Sequence, residues 1–226
     1  MSYEVVGYRW VRDVESADSF STRDSGQRWD RRRFVDTLEK LLLLVVLSAL
    51  VYRLTPGIRI APFNALYLFA EVVVVLMVVF RRSTEHISQS PAEWFIAFAG
   101  TLLPLLVIDT NGPRLVPGGL LMVVGVIIST TAQLSLGRSF GIVAANRGVK
   151  TAGLYSLVRH PMYTGYLLTI TGFLLWNPSS WNAGVYVVWL VCQLSRIQVE
   201  ERVLSADPAY RKLKARVRYR LVPFVY

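Results

Sequence analysis

The residues of this sequence that are best suited to chemistry form the stretch Arg159-His160-Pro161-Met162-Tyr163-Thr164-Gly165. Pro161 lacks a backbone donor and has a fixed φ, so it suits the first turn of a helix. His160 precedes the proline and is expected to be extended. A helix N-terminus attracts anionic groups, whereas Arg and Tyr are also common anchors where a helix leaves the lipid headgroups. The stretch therefore predicts either an anion-binding helix start or an interfacial anchor.

A second chemically suggestive region lies near the C-terminus. Two adjacent carboxylates, Glu200 and Glu201, directly follow an apolar run, and Tyr210 and a basic segment come after them. A basic amphipathic segment lying on anionic lipid would explain the Arg and Lys residues. It would not explain the two acids, because a negatively charged membrane surface repels them.

The composition points to a membrane protein rather than a soluble domain. The chain has 226 residues, of which 53% are hydrophobic, and its mean hydropathy is +0.41. Its formal net charge of +10 is better explained by cytoplasmic loops and anionic lipids than by nucleic acid. With Cys192 as the single cysteine, no internal disulfide is possible and no metal cluster is expected.

The apolar runs predict an all-α transmembrane bundle with about six spans. The expected spans are residues 38–54, 64–80, 93–108, 118–136, 163–176 and 181–197, with a tight turn at 177–180. Residues 1–36 are expected to form a cytoplasmic segment, residues 37–136 four transmembrane helices, and residues 137–226 the part that carries the site. The basic residues fall mainly in the loops on one side, so both termini are predicted to be cytoplasmic in a multi-pass protein of the cell membrane.

Glu71 lies in the middle of the second predicted span. An ionisable group at that depth is costly and is a candidate for function. The alternative is a structural role, in which Glu71 is protonated or paired with a polar group of a neighbouring helix. Because nothing nearby in the sequence is typical of a proton relay or an ion path, the structural interpretation is favoured.

The part of the chain from Leu136 to Pro223 resembles the isoprenylcysteine carboxyl methyltransferase family, which forms a wider group with the phospholipid methyltransferases. The resemblance rests on the order of three blocks, namely Arg159-His160-Pro161-Met162-Tyr163-Thr164-Gly165, Glu200-Glu201 and Arg218-Tyr219-Arg220-Leu221-Val222-Pro223. It does not cover the first four predicted spans. The link from Glu201 to Tyr210 is short and lacks a Phe-Gly pair often seen there, and Leu213 stands where a second Tyr is common.

The resemblance implies an integral membrane enzyme that uses S-adenosylmethionine. The last two spans would form a helical hairpin, and the C-terminal segment would fold over the cofactor on the cytoplasmic side. Arg159 and Glu201 are the expected catalytic residues. The expected cofactor-binding residues are His160, Tyr163, Gly165, Glu200, Tyr210 and Arg220. Gly165 is assigned here because a residue without Cβ lets a ligand approach the helix closely.

The expected acceptor is lipophilic, such as the carboxylate of an isoprenylcysteine-like compound, and reaches the site sideways from the bilayer. A carboxylate needs no general base near neutral pH, whereas an amine or phenol would need one, with Glu201 or His160 as candidates. Small residues at Gly165, Thr169 and Gly172 predict a groove for the acceptor chain or, alternatively, tight helix packing. Membrane lipids are the other expected partners, with no nucleic acid and no obligate protein partner.

Two other functions are compatible with the same residues. One is an NADPH-dependent membrane reductase of the sterol-reductase kind, which would usually need more polar and aromatic residues around the nicotinamide and the 2′-phosphate. The other is a non-catalytic membrane scaffold whose basic tail contacts lipid. Binding of S-adenosylmethionine, of NADPH or of neither compound would separate the three functions.

Overall fold

The computed structural model of the protein describes residues 37–53, 63–81, 90–109 and 113–225, together with the single positions 34, 55 and 88. The N-terminal segment predicted over residues 1–36 lies outside the described residues, except for position 34. The chain divides into two compact units, Met1–Leu42 and Leu43–Tyr226. All residues of the site discussed below belong to the second unit.

The described residues are mostly helical and contain no β-strand, which confirms the all-α prediction. Helix α1 covers residues 37–53. The later helices are α2 (Phe63–Val79), α3 (Pro91–Leu102, continued by the 3-10 turn Leu103–Leu106), α4 (Val116–Leu136), α5 (Pro161–Trp176), α6 (Ser180–Leu204) and α7 (Pro208–Arg216). Each predicted span corresponds to one of the first six helices. Helix α6 continues past residue 197 because the charged residues that follow the apolar run are still good helix formers.

Within the described ranges, one helix is long and apolar enough to cross a membrane by length and composition, at Val116–Ser139. The apolar helices at Leu68–Val79 and Pro91–Leu106 are shorter. Helix α6 has 25 residues, but the polar residues Asn182, Gln193 and Arg196 interrupt its apolar sequence. The all-helical architecture is therefore established, while the number of spans and the position of the termini stay predictions.

Helices α4 and α5 approach each other closely because glycines face each other along their contact. A Cβ on Gly172 would lie 2.5 Å from the Gly118 carbonyl oxygen and 2.6 Å from the Met122 nitrogen. A Cβ on Gly125 would lie 2.6 Å from the Gly165 carbonyl oxygen. The small residues that were expected to leave a groove for a chain instead bring two helix backbones together, so the groove prediction is wrong at this interface.

Helices α5 and α6 are joined by the expected short turn but pack mainly on other helices, α5 along α4 and α6 along α3. Aromatic rings stand between them: Tyr166 meets Trp189 at 6.5 Å and Phe173 meets Tyr186 at 5.9 Å between ring centroids. These large side chains hold the two helices apart along most of their length. The predicted hairpin is therefore an open one.

The turn that joins α5 and α6 is fixed by two buried asparagines. The Nδ2 atoms of Asn177 and Asn182 both donate to the Ile108 carbonyl oxygen, at 2.8 and 2.9 Å. The Ile108 nitrogen donates in return to the Asn182 Oδ1 atom at 3.0 Å. The turn between α5 and α6 is thereby tied to the chain that leaves α3.

The C-terminal segment packs on the protein with its apolar side. Tyr210, Leu213 and Val217 are buried and contact Val149 and Leu204. The apolar face of α7 is therefore not available to lipid, contrary to a simple amphipathic anchor.

Beyond α7 the chain passes the start of α5. There the Arg159 nitrogen donates to the Tyr219 oxygen at 3.0 Å, and the His160 nitrogen donates to the Arg220 oxygen at 2.9 Å. The Thr164 hydroxyl donates to the Leu221 oxygen at 2.7 Å. These bonds hold the C-terminal segment over the first turns of α5.

Candidate active site

Helix α5 starts with Pro161 in its first turn, as the sequence predicted. The N-cap residue His160 was expected to be extended, but its φ of −128° and ψ of 60° lie outside the extended region. This start faces the end of α6, so the Arg159-His160 pair meets the Glu200-Glu201 pair. The hydrogen bonds described below confirm that the two motifs meet. The anionic groups at this helix N-terminus are thus the protein's own carboxylates.

Glu201 is the centre of the cluster and is buried. Its Oε1 atom accepts a hydrogen bond from Arg159 Nε at 2.9 Å and lies 3.4 Å from His160 Nε2. Its Oε2 atom accepts hydrogen bonds from Arg220 Nη2 at 3.0 Å and Nε at 3.2 Å. Both carboxylate oxygens are therefore occupied by cationic or polar donors from two separate segments of the chain.

These partners hold the Glu201 carboxyl in its ionised form. Burial raises the pKa of Glu201, but hydrogen bonds from His160 and Arg220 and the charge of Arg159 outweigh it, so that this pKa lies well below its usual range. A carboxylate with a depressed pKa is a poor proton acceptor near neutral pH. Glu201 is thus better suited to fix its neighbours than to act as a general base.

The Arg159 side chain is buried and binds the protein itself. Besides its bond to Glu201, its Nη1 atom donates to the carbonyl oxygens of Val217 at 3.0 Å and Arg218 at 3.1 Å. The guanidinium therefore ties the C-terminal segment to the end of α6. These contacts favour a positioning role for Arg159, and the catalytic role expected from the sequence stays a prediction.

Glu200 belongs to a second, more accessible part of the cluster. Its side chain is 21% exposed, and its Oε2 atom lies 3.7 Å from His160 Nδ1. The Tyr163 hydroxyl donates a hydrogen bond to its Oε1 atom. His160 thus stands between the two carboxylates, while Tyr163 orients the one that solvent or a ligand can reach.

Tyr210 from α7 completes the cluster with a buried hydroxyl. This oxygen lies close to the Glu201 carboxylate but makes no hydrogen bond of good geometry within the described residues. Burial raises the pKa of Tyr210, and the nearby Glu201 carboxylate raises it further. A buried hydroxyl without a partner costs free energy, about 1–3 kcal/mol, which a ligand can recover by bonding to it.

Gly165 lies away from this cluster. A Cβ on it would be 2.4 Å from the Ser129 nitrogen and 2.6 Å from the Gly125 oxygen, both in the α4 backbone. The close approach expected at Gly165 is therefore made by a helix and not by a ligand. The structure brings together the other expected site residues, Arg159, His160, Tyr163, Glu200, Glu201, Tyr210 and Arg220.

Arg196 is a site residue that the sequence reasoning missed. It is buried, its Nη1 donates to Gln193 Oε1 and its Nη2 to the Ile142 oxygen, both at 3.0 Å. Its guanidinium carbon lies 5.6 Å from the centroid of the Tyr163 ring, as in a cation–π pair. Arg196 precedes Glu200 by four residues, so the two side chains lie on one face of α6. The sequence signal that could have identified Arg196 is a cation inside an apolar run.

Arg196 also lines two spaces. One is a crevice of about 10 Å³ that Glu200 lines as well, with room for about one water molecule. The other is a cavity of about 580 Å³ inside the helix bundle. The cavity walls are largely apolar, and the polar and charged side chains that also line the cavity include those of Glu71, Gln133, Tyr166 and Gln193.

Comparison with known proteins agrees with the family resemblance in the part of the chain that carries the site. Residues 113–210 match the phospholipid methyltransferase family. Protein-S-isoprenylcysteine O-methyltransferase A of Arabidopsis thaliana is 38% identical over 95 residues, which cover 39% of this chain and 48% of the relative. Protein-S-isoprenylcysteine O-methyltransferase B of the same plant is 37% identical over 95 residues, covering 38% and 48%. The chain thus spans about half the length of the curated relatives it matches. The resemblance is confirmed over residues 113–210, a match that also includes the fourth predicted span, which was not expected, and that stops before the block Arg218–Pro223.

Proposed function

Because the segment that matches the phospholipid methyltransferases carries most of this site, we propose that the protein is an integral membrane methyltransferase for a lipophilic carboxylate. Its methyl donor is S-adenosylmethionine. The observation that carries the proposal is that Arg196 lines both the crevice beside Glu200 and the cavity in the bundle. A donor held on one side and an acceptor held on the other would meet at this residue.

The residues of the cluster fit S-adenosylmethionine, which has a carboxylate, an ammonium, ribose hydroxyls and an adenine. The Tyr210 hydroxyl makes no well-formed hydrogen bond within the described part of the chain and can bond to one of the cofactor's polar atoms. The partly exposed Glu200 carboxylate suits the ammonium or the ribose, and the Arg220 side chain, 30% exposed, suits the carboxylate. When bound, the compound supplies a methyl group activated by its sulfonium.

The chemistry of the site favours a carboxylate acceptor over an amine. A carboxylate is already ionised near neutral pH and needs no base. An amine would have to lose a proton, and Glu201 is poorly suited to take it because its partners depress its pKa. What a carboxylate needs is to be oriented and shielded from water, since transfer of the methyl group requires alignment of the reacting atoms. The buried Arg196 guanidinium can hold one of its oxygens.

The cavity provides the space for the apolar part of the acceptor. Its volume of about 580 Å³ lies within the range of ligand pockets, which is roughly 300–1,000 Å³. Side chains such as Leu50, Val126 and Ile170 give it apolar walls. The two Arabidopsis relatives are named for protein-S-isoprenylcysteine, and we extend the isoprenylcysteine carboxylate as the acceptor group to this chain. With both termini cytoplasmic, the donor side of Arg196 would face the cytosol.

Ligand titrations of the purified protein test this proposal. We expect S-adenosylmethionine to bind and NADPH not to bind. Replacing Arg196 by Gln should raise the KM for a lipid carboxylate by about tenfold or more, since one charge-assisted bond is lost, and should leave S-adenosylmethionine binding within about twofold. Binding of NADPH alone would indicate the reductase. Binding of neither compound would indicate a scaffold.

A further inference from the structure

The outer face of α7 and the residues that follow it carry a cluster of exposed cations. Tyr210 and Leu213, on the inner face of the helix, are buried against the protein. The exposed cations of this segment are Lys212, Lys214, Arg216 and Arg218. Arg216 donates to the Thr151 oxygen at 2.7 Å and keeps its charge. Within the described part of the chain, no carboxylate forms a salt bridge with any of the four, so their charge is available to a partner.

The last described residues lie at the level where α5 enters its apolar run. The Thr164 hydroxyl donates to the Leu221 oxygen at 2.7 Å, and Thr164 belongs to the first turn of α5, at the start of the fifth predicted span. Leu221 is buried, but Phe224 and Val225 just beyond it are 88% and 79% exposed. The ring of Phe224 lies 5.3 Å from that of Tyr219 between centroids, which holds it beside the segment. Apolar side chains exposed at this level would face the membrane interface.

The charge of the segment decides which lipid fits it. Cations combined with an exposed aromatic side chain are typical of segments that lie at the surface of anionic membranes. Each Lys or Arg near such a surface contributes about fivefold in affinity. In the predicted orientation the segment lies on the cytoplasmic side, where the anionic lipids of the membrane are found. An acidic protein would match the cations but not the exposed Phe224 at membrane level.

We propose that this segment is a docking surface for the headgroups of anionic phospholipids. Its cations contact the lipid phosphates, and Phe224 and Val225 insert at the boundary between headgroups and acyl chains. Helix α7 is therefore not an anchor by its apolar face, which is buried in the protein, but binds lipid through its charged face.

The docking surface shares its backbone with the segment that covers the carboxylate cluster. Arg159 Nη1 donates to the carbonyl oxygens of Val217 and Arg218, and Arg220 Nη2 donates to Glu201 at 3.0 Å. A lipid bound to this segment stabilises the position in which these bonds form. Anionic lipid should thus strengthen S-adenosylmethionine binding. This consequence rests on the proposed function, whereas the lipid contact itself does not.

Hydrogen exchange of the full chain in lipid nanodiscs tests the docking surface. One set of discs contains phosphatidylcholine alone, and the other contains phosphatidylcholine mixed with phosphatidylglycerol. We expect the amides of residues 211–225 to exchange about fivefold more slowly or better in the anionic discs, because opening of the segment then breaks lipid contacts. High salt should reverse the protection, since it screens the charges. Calorimetry of the same samples should show severalfold tighter S-adenosylmethionine binding in the anionic discs.

Two double variants separate charge from other effects of substitution. Lys212→Gln with Lys214→Gln removes two cations, so the protection by anionic lipid should fall about fivefold or more. Lys212→Arg with Lys214→Arg is the matched control, which keeps both charges and should keep the protection. Both positions are exposed, so neither variant should alter exchange in phosphatidylcholine discs.

Equal exchange of residues 211–225 in the two membranes would overturn the docking surface, as would equal protection of the Gln and Arg variants. Protection by added polyglutamate but not by anionic lipid would also overturn it, in favour of an acidic protein partner. If the lipid protects the segment but S-adenosylmethionine binds in neither membrane, the docking surface stands and the proposed function is wrong. If methyl transfer occurs without any lipid-dependent protection, the proposed function stands and the docking surface is wrong.

Discussion

Substitution of Gly172 by Ala tests how closely α4 and α5 are packed. The new Cβ would lie 2.5 Å from the Gly118 oxygen and 2.6 Å from the Met122 nitrogen, whereas ordinary contacts begin at 3.4 Å. Both neighbours are backbone atoms, so no side chain can move aside and the helices must separate by roughly an ångström. Overpacking of this kind costs about 1–3 kcal/mol.

Gly184→Ala is the matched control within α6. No atom lies within 4 Å of the Cβ that it would add, so the helix should gain about 0.5–1 kcal/mol from the loss of glycine's backbone freedom. The two variants should therefore differ by about 1.5–4 kcal/mol in their free energy of unfolding.

The assay is denaturant or thermal unfolding of both variants in the same detergent, followed by circular dichroism. Equal unfolding transitions for the two variants would refute the packing argument. So would a Gly172→Ala protein of full stability whose sole defect is a higher KM for the acceptor, because that result would indicate a substrate groove.

Three further predictions concern the carboxylate cluster. Arg159→Ala should lower the free energy of unfolding by about 3 kcal/mol, the lower end of the range for breaking a buried ion pair, while the exposed Arg218→Ala should change it by less than about 0.5 kcal/mol; thermal unfolding of the pair checks this, and equal small effects would contradict it. Because the pKa of Glu201 is depressed in the folded protein, its pairing stabilises the fold above the unfolded-state pKa of about 4.3 and this contribution is lost as the pH falls below that value. The difference in stability between the protein and Glu201→Gln should thus be larger at pH 7 than at pH 3, and a difference that grows on acidification would refute the assignment. Tyr210→Phe removes a buried hydroxyl that makes no well-formed hydrogen bond within the described residues, so it should not lower the unfolding temperature but should weaken S-adenosylmethionine binding severalfold by calorimetry, and unchanged affinity would exclude Tyr210 as a ligand contact.

The helices could be predicted from the sequence because each apolar run is also a helix, and the start of α5 could be placed because Pro161 restricts it. The end of α6 could not be predicted, since apolarity marks where a helix leaves lipid and not where its hydrogen bonds stop. Helix α6 continues through Glu200 and Glu201 and ends at Leu204. The partner of α5 was also missed, because glycines compatible with a groove are equally compatible with close helix packing.

For the site, the order of the motifs was enough to predict that His160 and Glu201 lie close together. Which residue of the cluster contacts a ligand and which one contacts the protein itself could not be predicted. Whether Arg159 faces a ligand or the carbonyl oxygens of Val217 and Arg218 depends on how the C-terminal segment folds back, and no local pattern specifies that path. Arg196 was overlooked as a site residue because its role depends on a cavity formed by several helices.

The most direct test of the account is transfer of a labelled methyl group from S-adenosylmethionine to S-farnesylcysteine by the purified protein, with Arg196→Gln measured in parallel. The account predicts a base-labile methyl ester on the acceptor, formed by the unmodified protein and reduced about tenfold or more in the variant at low acceptor concentration. No labelled ester, or a label that base does not release, would contradict carboxyl methylation. Equal rates for the two proteins would contradict the role of Arg196.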